Sequence, residues 1–277
     1  MWEQCFIETS RGNFEFFRKG QGEPLCVTHL YNEFNANGNT FALPFTDKYS
    51  VYLVNLKGCG GSDQAKHEAD YSMAETVKDL EAIREALGFS KWGFAGHSTG
   101  GMLALMYATM AQEHLTKIIA GGLCASAEYM NHPDSMYCRE NPNNPRIREI
   151  MDLLASETRI EVRRELNREW ALMSFYDSSR YEEIMNRPNS GKVVNPRLNY
   201  FSYVELKTFD VRPSLPKVTI PAFIYCGRYD AQCPHVFSQE AADLMPNATM
   251  TTFELSNHNP FVEEEEKFKQ FVAHIVG

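Results

Sequence analysis

A serine lies in a glycine-rich turn in the N-terminal half of the chain. The turn is Gly96-His-Ser-Thr-Gly-Gly101, in which glycines stand two residues before and two residues after Ser98. A G-x-S-x-G turn between a strand and a helix bends the chain so sharply that backbone atoms approach closely, which only glycine tolerates. Such a turn raises the serine hydroxyl above the end of a sheet. The spacing predicts that Ser98 is a nucleophile in acyl transfer.

Two residues near the C-terminus, His258 and Asp230, can activate this serine. A serine hydroxyl is a poor nucleophile at neutral pH, so it needs a histidine base and a carboxylate that orients the histidine. His258 lies in the loop 255–261, between the last predicted strand and the last predicted helix, and Asp230 directly follows the strand before it. Catalytic groups collect at the carboxyl ends of parallel strands. We therefore predict His258 as general base and Asp230 as its orienting acid.

Two backbone N–H groups must bind the oxyanion that forms when the serine attacks. One is expected to be the N–H of Thr99, the residue after the nucleophile. The other is expected in the loop 28–32, which follows a predicted strand. We favour the N–H of Tyr31, with Leu30 second, because the sequence leaves the register of this loop open by one residue.

The elements that must position these residues alternate between strands and helices. Alternation of this kind implies crossover connections and a parallel sheet with helices on both faces, hence an α/β fold. A hairpin is predicted over residues 3–18. The further predicted strands are 24–28, 50–56, 91–95, 115–120, 220–225 and 249–253, and the helices are 72–87, 102–110, 235–244 and 260–275.

The alternation is interrupted between residues 125 and 215. This stretch is rich in charge, and proline and asparagine clusters separate its helical patterns, which are at 147–154, 161–173 and 181–185. We interpret residues 125–215 as a helical lid that is inserted into a core made of residues 1–124 and 216–277.

Three side chains of the predicted lid could line a pocket for an acyl or aminoacyl group. They are Trp170, Glu169 and Tyr203. If Glu169 faced Ser98, its carboxylate could pair with the ammonium group of a peptide substrate. An aromatic side chain at helical spacing is equally consistent with packing.

Five landmarks follow one another along the chain, namely the His29 loop and the segments 56–63, 96–101, 227–230 and 258–263. In this order they resemble the landmarks of the α/β-hydrolase family, in particular its esterase, proline iminopeptidase and C–C hydrolase branches. The chain order Ser98, Asp230, His258 is also that of the family. The resemblance implies an eight-stranded, mostly parallel sheet under a helical cap, water as second substrate, and no cofactor.

Some positions distinguish among the branches of the family. The usual His-Gly pair is His29-Leu30 here, and Thr99 stands where proline iminopeptidases carry a tryptophan. Dehalogenases and epoxide hydrolases use an aspartate at the position of Ser98, so the resemblance disfavours their chemistry.

Charge and composition argue against several other classes of function. The formal charge of −9 offers no positive field for phosphates, so no nucleic acid and no anionic membrane is expected as a partner. No apolar stretch approaches the roughly 18 residues of a membrane span and no signal peptide is visible, which predicts a cytoplasmic protein. The eight histidines lack metal-ligand spacing, and Gly58-Cys-Gly-Gly61 is not a nucleotide-binding loop. Neither a metal nor another cofactor is predicted.

These features together predict a serine hydrolase that cleaves an ester or related acyl bond of a small, fairly apolar molecule through an acyl-enzyme. One alternative is an aminopeptidase similar to proline iminopeptidases. An alternative of another class is a ligand-binding or receptor-like protein of the same fold with little turnover. The sequence leaves the natural substrate and the oligomeric state open, and a homo-oligomer is compatible with it.

Overall fold

The computed structural model describes residues 1–275 and contains one large sheet and one short strand pair. The strands begin and end close to the apolar runs of the sequence. They are β1 (Glu3–Thr9), β2 (Gly12–Lys19), β3 (Glu23–Val27), β4 (Asn32–Glu33), β5 (Tyr49–Val54), β6 (Trp92–His97), β7 (Leu115–Gly121), β8 (Lys192–Val193), β9 (Ala222–Gly227) and β10 (Ala248–Phe253).

The large sheet has eight strands in the order β1-β2-β5-β3-β6-β7-β9-β10. β2 pairs antiparallel with β1 and β5, and the other neighbouring strands are parallel. The predicted eight-stranded, mostly parallel sheet is therefore confirmed. Ser98, Asp230 and His258 follow β6, β9 and β10, so all three stand beyond the carboxyl end of the sheet, where parallel α/β sheets bind ligands.

Helices cover both faces of this sheet. The core divides into two clusters, because successive side chains of a strand point to opposite faces. In β3, Cys26 belongs to one cluster, and Leu25 and Val27 belong to the other. The helices are α1 (Met73–Ala86), α2 (Thr99–Ala111), α3 (Asn144–Ser156), α4 (Ile160–Leu172), α5 (Tyr181–Met185), α6 (Asn195–Tyr200), α7 (His235–Leu244), α8 (Pro260–Glu263) and α9 (Glu265–Ile275).

Helices α1, α2 and α7 pack on the face that Cys26 shares with Phe94 of β6, and α9 packs on the opposite face. The predicted helix 260–275 is divided into α8 and α9 at Glu264, whose backbone is not helical. The Glu264 carboxylate turns back and accepts hydrogen bonds from the N–H of Leu255 and the hydroxyl of Ser256. These two bonds explain the break in the helix.

The helical segment, as we call residues 125–215, leaves the sheet after β7 and returns before β9. Its two ends meet, because the N–H of Ala127 donates to the Phe209 carbonyl at 2.9 Å and the N–H of Val211 donates to the Ala125 carbonyl at 2.9 Å. Its β8 pairs with β4 in the loop after β3. The segment is therefore held at its base and over the loop that contains Tyr31.

Three helices of the helical segment follow the predicted patterns, namely α3, α4 and α5. α6 and the π-helical turn Phe201–Glu205 that follows it have no counterpart among the predicted elements. No helix within residues 1–275 combines the length and the apolar character that crossing a membrane requires.

Candidate active site

Ser98 lies in the sharp turn between β6 and α2. Its backbone has φ 57° and ψ −123°, and within residues 1–275 it is the one non-glycine residue with a positive φ. Backbone of this kind costs of order 1–3 kcal/mol and persists only where the surroundings impose it. A Cβ on Gly96 would lie 2.0 Å from the Gly100 carbonyl oxygen, and one on Gly100 would lie 2.6 Å from the Thr28 carbonyl oxygen. The turn therefore requires glycine at both positions.

The loops after β9 and β10 bring Asp230 and His258 together. His258 Nδ1 lies 2.9 Å from both carboxylate oxygens of Asp230. The N–H groups of Gln232 and Cys233 also donate to Asp230 Oδ1, at 3.0 and 2.8 Å, and the carboxylate has no exposed surface. An ionised carboxylate can only accept a hydrogen bond, so Nδ1 of a neutral His258 carries the ring proton and donates it in that bond, and Nε2 carries the lone pair. This is the tautomer that a general base needs.

His97, the residue before Ser98, connects the turn to His258. The two imidazole centroids are 4.6 Å apart, so the ring of His258 stands beside the turn that carries the serine. His97 Nδ1 lies 3.0 Å from the Tyr225 hydroxyl. Burial, together with the nearby His258 and His29, lowers the pKa of His97 well below its usual value. His97 is therefore a neutral packing partner of His258.

Ser98 itself is partly exposed. Within residues 1–275, the hydrogen bonds of the His258 ring are those to Asp230, and none joins Nε2 to Ser98 Oγ. Catalytic hydrogen bonds are often long in the absence of substrate and shorten when it binds. The Ser98 side chain is thus partly exposed at the end of the sheet where Asp230 and His258 meet.

The two segments predicted to bind an oxyanion lie side by side and are linked by His29. Thr99 is the first residue of α2, so its N–H has no acceptor inside the helix. His29 Nε2 lies 3.1 Å from Thr99 Oγ1, and the N–H of Tyr31 donates to His29 Nδ1 at 3.4 Å. The second bond is long and therefore weak. Leu30 N–H makes no hydrogen bond within residues 1–275.

The protonation state of His29 follows from these contacts. Because Nδ1 accepts a hydrogen bond, the ring proton lies on Nε2, which donates to Thr99 Oγ1. Burial first, and then nearby positive groups, lower the pKa of His29 to about 3. The ring therefore stays neutral and connects Thr99 to Tyr31 at any ordinary pH.

Comparison with known proteins agrees with this arrangement. The sequence model of the alpha/beta hydrolase fold matches residues 38–265. The chain belongs to the α/β-hydrolase family. It is 64% identical to a solved alpha/beta fold family hydrolase from Bacillus anthracis str. Sterne, with a TM-score of 0.97 and 99% of each chain covered. The family resemblance predicted from the sequence is confirmed.

Two relatives of this α/β-hydrolase are named proline iminopeptidase. The chain is 25% identical to a proline iminopeptidase of Heyndrickxia coagulans, over 97% of this chain and 96% of the relative. It is also 25% identical to a proline iminopeptidase of Saccharolobus solfataricus, over 85% of this chain and 80% of the relative. Both alignments extend across the helical segment as well as the sheet, because they cover most of each chain.

Trp170 of the α/β-hydrolase connects α4 to the loop of Asp230. Its ring lies 6.5 Å from that of Tyr137, measured between centroids, and the two rings meet edge to face. The Tyr137 hydroxyl donates to Gln232 Oε1 at 2.9 Å, two residues beyond Asp230. Trp170 therefore reaches the loop of Asp230 through one intervening ring.

Glu169 and Tyr203, predicted to line a pocket, have other surroundings in the structure. Arg146 donates to Glu169 Oε1 from Nε at 2.7 Å and to Oε2 from Nη2 at 2.6 Å, so both oxygens are already bound. This fork-to-fork pair joins α3 to α4 in a partly exposed position. Tyr203 is 63% exposed. No hydrogen bond or ring contact within the described chain joins either side chain to Ser98, His258 or Asp230.

Ser174 and Gln232, which the sequence analysis did not single out, attach the helical segment to the loops of His258 and Asp230. The N–H of His258 donates to the Ser174 carbonyl at 3.3 Å, and Gln232 Nε2 donates to Ser174 Oγ at 2.9 Å. Ser174 follows α4, and no motif or periodicity marks it. Only the folded chain shows that one residue of the helical segment touches the loops of both Asp230 and His258.

Thiols near Asp230 are poor candidates for ligands or nucleophiles. Cys226 Sγ lies 3.6 Å from Asp230 Oδ2, and burial, reinforced by that carboxylate, raises the pKa of Cys226 well above its usual value. A protonated thiol neither binds a metal well nor attacks a carbonyl. Within residues 1–275, no three His, Cys, Asp or Glu side chains are grouped so that they could hold a metal ion.

Proposed function

We propose that this α/β-hydrolase is a serine hydrolase that cleaves an ester or related acyl bond of a small, fairly apolar substrate. The observation that carries the proposal is the Asp230–His258 pair beside the strained turn at Ser98. Strain at a single non-glycine residue next to an oriented imidazole is the arrangement that an activated serine requires.

In the proposed acylation step, Ser98 Oγ attacks the carbonyl carbon while His258 Nε2 takes the hydroxyl proton. The imidazolium that forms is stabilised by Asp230, which stays ionised. The tetrahedral intermediate then expels the alcohol, which takes the proton from His258 Nε2. The products of this step are the free alcohol and an acyl group on Ser98.

Water completes the proposed cycle. His258 Nε2 takes a proton from water as the water oxygen attacks the acyl carbon, and it returns that proton to Ser98 Oγ when the acid leaves. In both steps the negative oxygen would accept hydrogen bonds from the N–H of Thr99 and the N–H of Tyr31. The weak bond from Tyr31 to His29 is readily exchanged for a stronger one to an oxyanion.

Aromatic side chains around the loops of the site support a small, fairly apolar acyl or alcohol group. Tyr31 faces Phe201 with ring centroids 6.2 Å apart, and Tyr129 faces Tyr137 at 6.3 Å. Burial raises the pKa of Tyr129 and Tyr137 well above the usual value, so both phenols are neutral. Neutral aromatic side chains beside these loops favour uncharged, apolar substrate groups.

The proposal is tested with short-chain nitrophenyl esters. We expect wild-type turnover, and we expect Ser98→Ala to abolish it, while Ser156→Ala at an exposed position of α3 leaves it unchanged. Release of nitrophenol is the measurement. Ester turnover by Ser98→Ala at the wild-type rate would reject Ser98 as nucleophile.

A proline iminopeptidase activity is the second candidate, and the two full-length relatives of that name favour it. Such an enzyme needs a carboxylate that pairs with the substrate ammonium, and Glu169 is already held by Arg146. We therefore rank ester hydrolysis first. A higher kcat/KM on proline nitroanilide than on nitrophenyl esters would reverse that order.

Covalent labelling distinguishes a serine hydrolase from a protein of the same fold that binds a ligand without turnover. A fluorophosphonate reacts with an activated serine and leaves a stable phosphonyl group on it. We expect labelling at Ser98 by mass spectrometry. An unlabelled Ser98 in the folded protein would favour the binding protein over the hydrolase.

A further inference from the structure

Arg197, at the centre of α6, is a fully buried cation bound by neutral oxygens. Its side chain is 1% exposed. Nε donates to the Leu30 carbonyl, Nη1 donates to the Lys57 carbonyl at 3.0 Å, and Nη2 donates to Thr76 Oγ1 at 2.9 Å. Its guanidinium also stands over the ring of Tyr71, 5.4 Å from the centroid. Within residues 1–275, no carboxylate forms an ion pair with it.

An arginine of this kind is not explained by packing alone. Removing a charge from water carries a penalty of several kcal/mol, which an apolar side chain of similar volume would avoid. Burial accordingly lowers the pKa of Arg197. The side chain does supply charge-assisted hydrogen bonds, which are roughly twice as strong as neutral ones and fix the groups that accept them. The identity of those groups therefore indicates its role.

The Leu30 carbonyl belongs to the same peptide unit as the N–H of Tyr31. That unit is planar and trans, so its oxygen and its hydrogen point in opposite directions. A guanidinium on the oxygen fixes the direction of the N–H, and it polarises the unit so that the N–H becomes a stronger donor. Arg197 thus acts on the Tyr31 N–H from behind the loop.

The next peptide unit is held by the same part of the chain. The N–H of Val194, three residues before Arg197, donates to the Tyr31 carbonyl at 2.8 Å. Both carbonyls that flank Tyr31 are therefore bound by residues 194–197. The contacts of Arg197 to Lys57 and Thr76 anchor residues 194–197 to the loop after β5 and to α1.

We propose that Arg197 is a positioning residue that aims the Tyr31 N–H at the oxyanion formed on Ser98. This inference rests on the proposed serine hydrolase function. It assigns to the helical segment a part in the chemistry, because a residue of α6 then determines the strength of an oxyanion donor in the loop after β3. The guanidinium acts through the peptide unit and does not touch the substrate.

The test compares Arg197→Lys and Arg197→Gln with Thr76→Val. Lysine keeps the charge but cannot hold the Leu30 and Lys57 carbonyls in one planar fork. Thr76→Val removes one partner of Arg197 and leaves its bond to Leu30 in place. Thermal unfolding establishes which variants fold, and Arg197→Lys serves if Arg197→Gln does not fold.

Kinetics on a nitrophenyl ester and inhibition by a trifluoromethyl ketone provide the readouts. Ser98 Oγ adds to the carbonyl carbon of the ketone while His258 Nε2 takes the hydroxyl proton. The resulting oxyanion occupies the same position as in the reaction. We expect both Arg197 variants to lower kcat and ketone affinity by about 10- to 100-fold with KM changed by less than about threefold. Thr76→Val removes one anchor of Arg197 but keeps the bond to Leu30, so it should lower kcat by no more than about threefold.

Two results would overturn the inference while leaving the serine hydrolase intact. One is an Arg197 variant that folds and keeps kcat and ketone affinity within about twofold of wild type. The other is an equal loss of kcat in Thr76→Val, which would mean that anchoring in general, and not the Leu30–Tyr31 peptide, matters. If wild-type Ser98 is not labelled by fluorophosphonate, the proposed function fails first, and the inference fails with it.

Discussion

The Asp230 carboxylate accepts hydrogen bonds from His258 and from two backbone N–H groups, so neither its position nor its hydrogen-bonding role is adjustable. An acceptor held in this way determines which nitrogen of His258 carries the proton. The chemistry proposed for Ser98 depends on that choice, because a proton on Nε2 would leave no lone pair for the serine hydroxyl.

Asp230→Asn tests this dependence on the tautomer. The amide keeps the size of the carboxylate, yet its NH₂ group can donate to Nδ1 and place the ring proton on Nε2. We expect kcat for ester hydrolysis to fall about 10³- to 10⁴-fold with little change in melting temperature. Asp243→Asn, at an exposed position of α7, is the matched control and should behave as wild type.

A fall in kcat of less than about tenfold in Asp230→Asn would contradict the proposed role of Asp230. Glu128 and Asp210 could not take over the orienting role of Asp230, because both pair with Arg212 at the surface. The base of Ser98 would have to be oriented in some other way.

Single residues differ in how far the sequence can predict them. Ser98, Asp230 and His258 each follow a strand closely, and a strand is visible as an apolar run, so their common location follows from chain order. Arg197 carries no such signal, because its acceptors are two main-chain carbonyls and one hydroxyl in distant parts of the chain. Glu169 is likewise bound by Arg146, which lies 23 residues earlier.

At the scale of elements, the turn between β6 and α2 depends on space more than on glycine's backbone freedom. A Cβ on Gly96 would lie 2.0 Å from the Gly100 carbonyl oxygen. Gly88, after α1, has a φ of 78°, but a Cβ at that position would have no other atom within 4 Å. A substitution of Gly96 therefore measures the penalty of a steric clash, and a substitution of Gly88 measures the penalty of a left-handed backbone.

We expect Gly96→Ala to lower the free energy of unfolding by about 3 kcal/mol or more, or to prevent folding, because backbone atoms cannot move apart without displacing β6 or α2. Gly88→Ala should lower it by only about 1–2 kcal/mol, the penalty of a left-handed residue. Urea unfolding measures both. Equal losses in the two variants would show that the turn is less crowded than the structure indicates.

Elements are predicted well from the sequence where one physical pattern dominates. The ends of most strands lie within about two residues of the predicted ones, since a strand buried on both faces is an unbroken apolar run. α6 is not predicted, because Asn195-Pro-Arg-Leu-Asn-Tyr200 has no apolar repeat and buries a cation instead. α2 begins at Thr99, three residues before the predicted start at residue 102. Gly100 and Gly101 have a low helix propensity, which tertiary contacts override in the folded chain.

At the scale of the whole molecule, buried neutral histidines make stability depend on pH. The pKa of His29 is about 3 in the folded chain and 6.5 when unperturbed, and that of His97 is also lowered. Between these values the unfolded chain binds more protons, so stability is fully present above about pH 6.5 and is lost as pH falls towards 3. Each such histidine contributes a slope of up to about 1.4 kcal/mol per pH unit.

His29→Gln should therefore flatten the pH dependence of unfolding below about pH 6, even though it lowers stability at neutral pH by removing the link between Thr99 and Tyr31. Urea unfolding from about pH 7 to about pH 4.5 measures the slope. His274→Gln, at an exposed position of α9, is the control. A slope in His29→Gln as steep as that of wild type would show that His29 is protonated in the folded protein.

The meeting of Ala125–Ala127 with Phe209–Val211 has a consequence for how such proteins diversify. A segment whose two ends meet can be replaced by one of different length without moving β7 or β9, because closing a longer loop costs little extra entropy. Arg197 limits that freedom. If Arg197 has the proposed role, any replacement segment would have to supply its own cation, or another donor, to the Leu30 carbonyl.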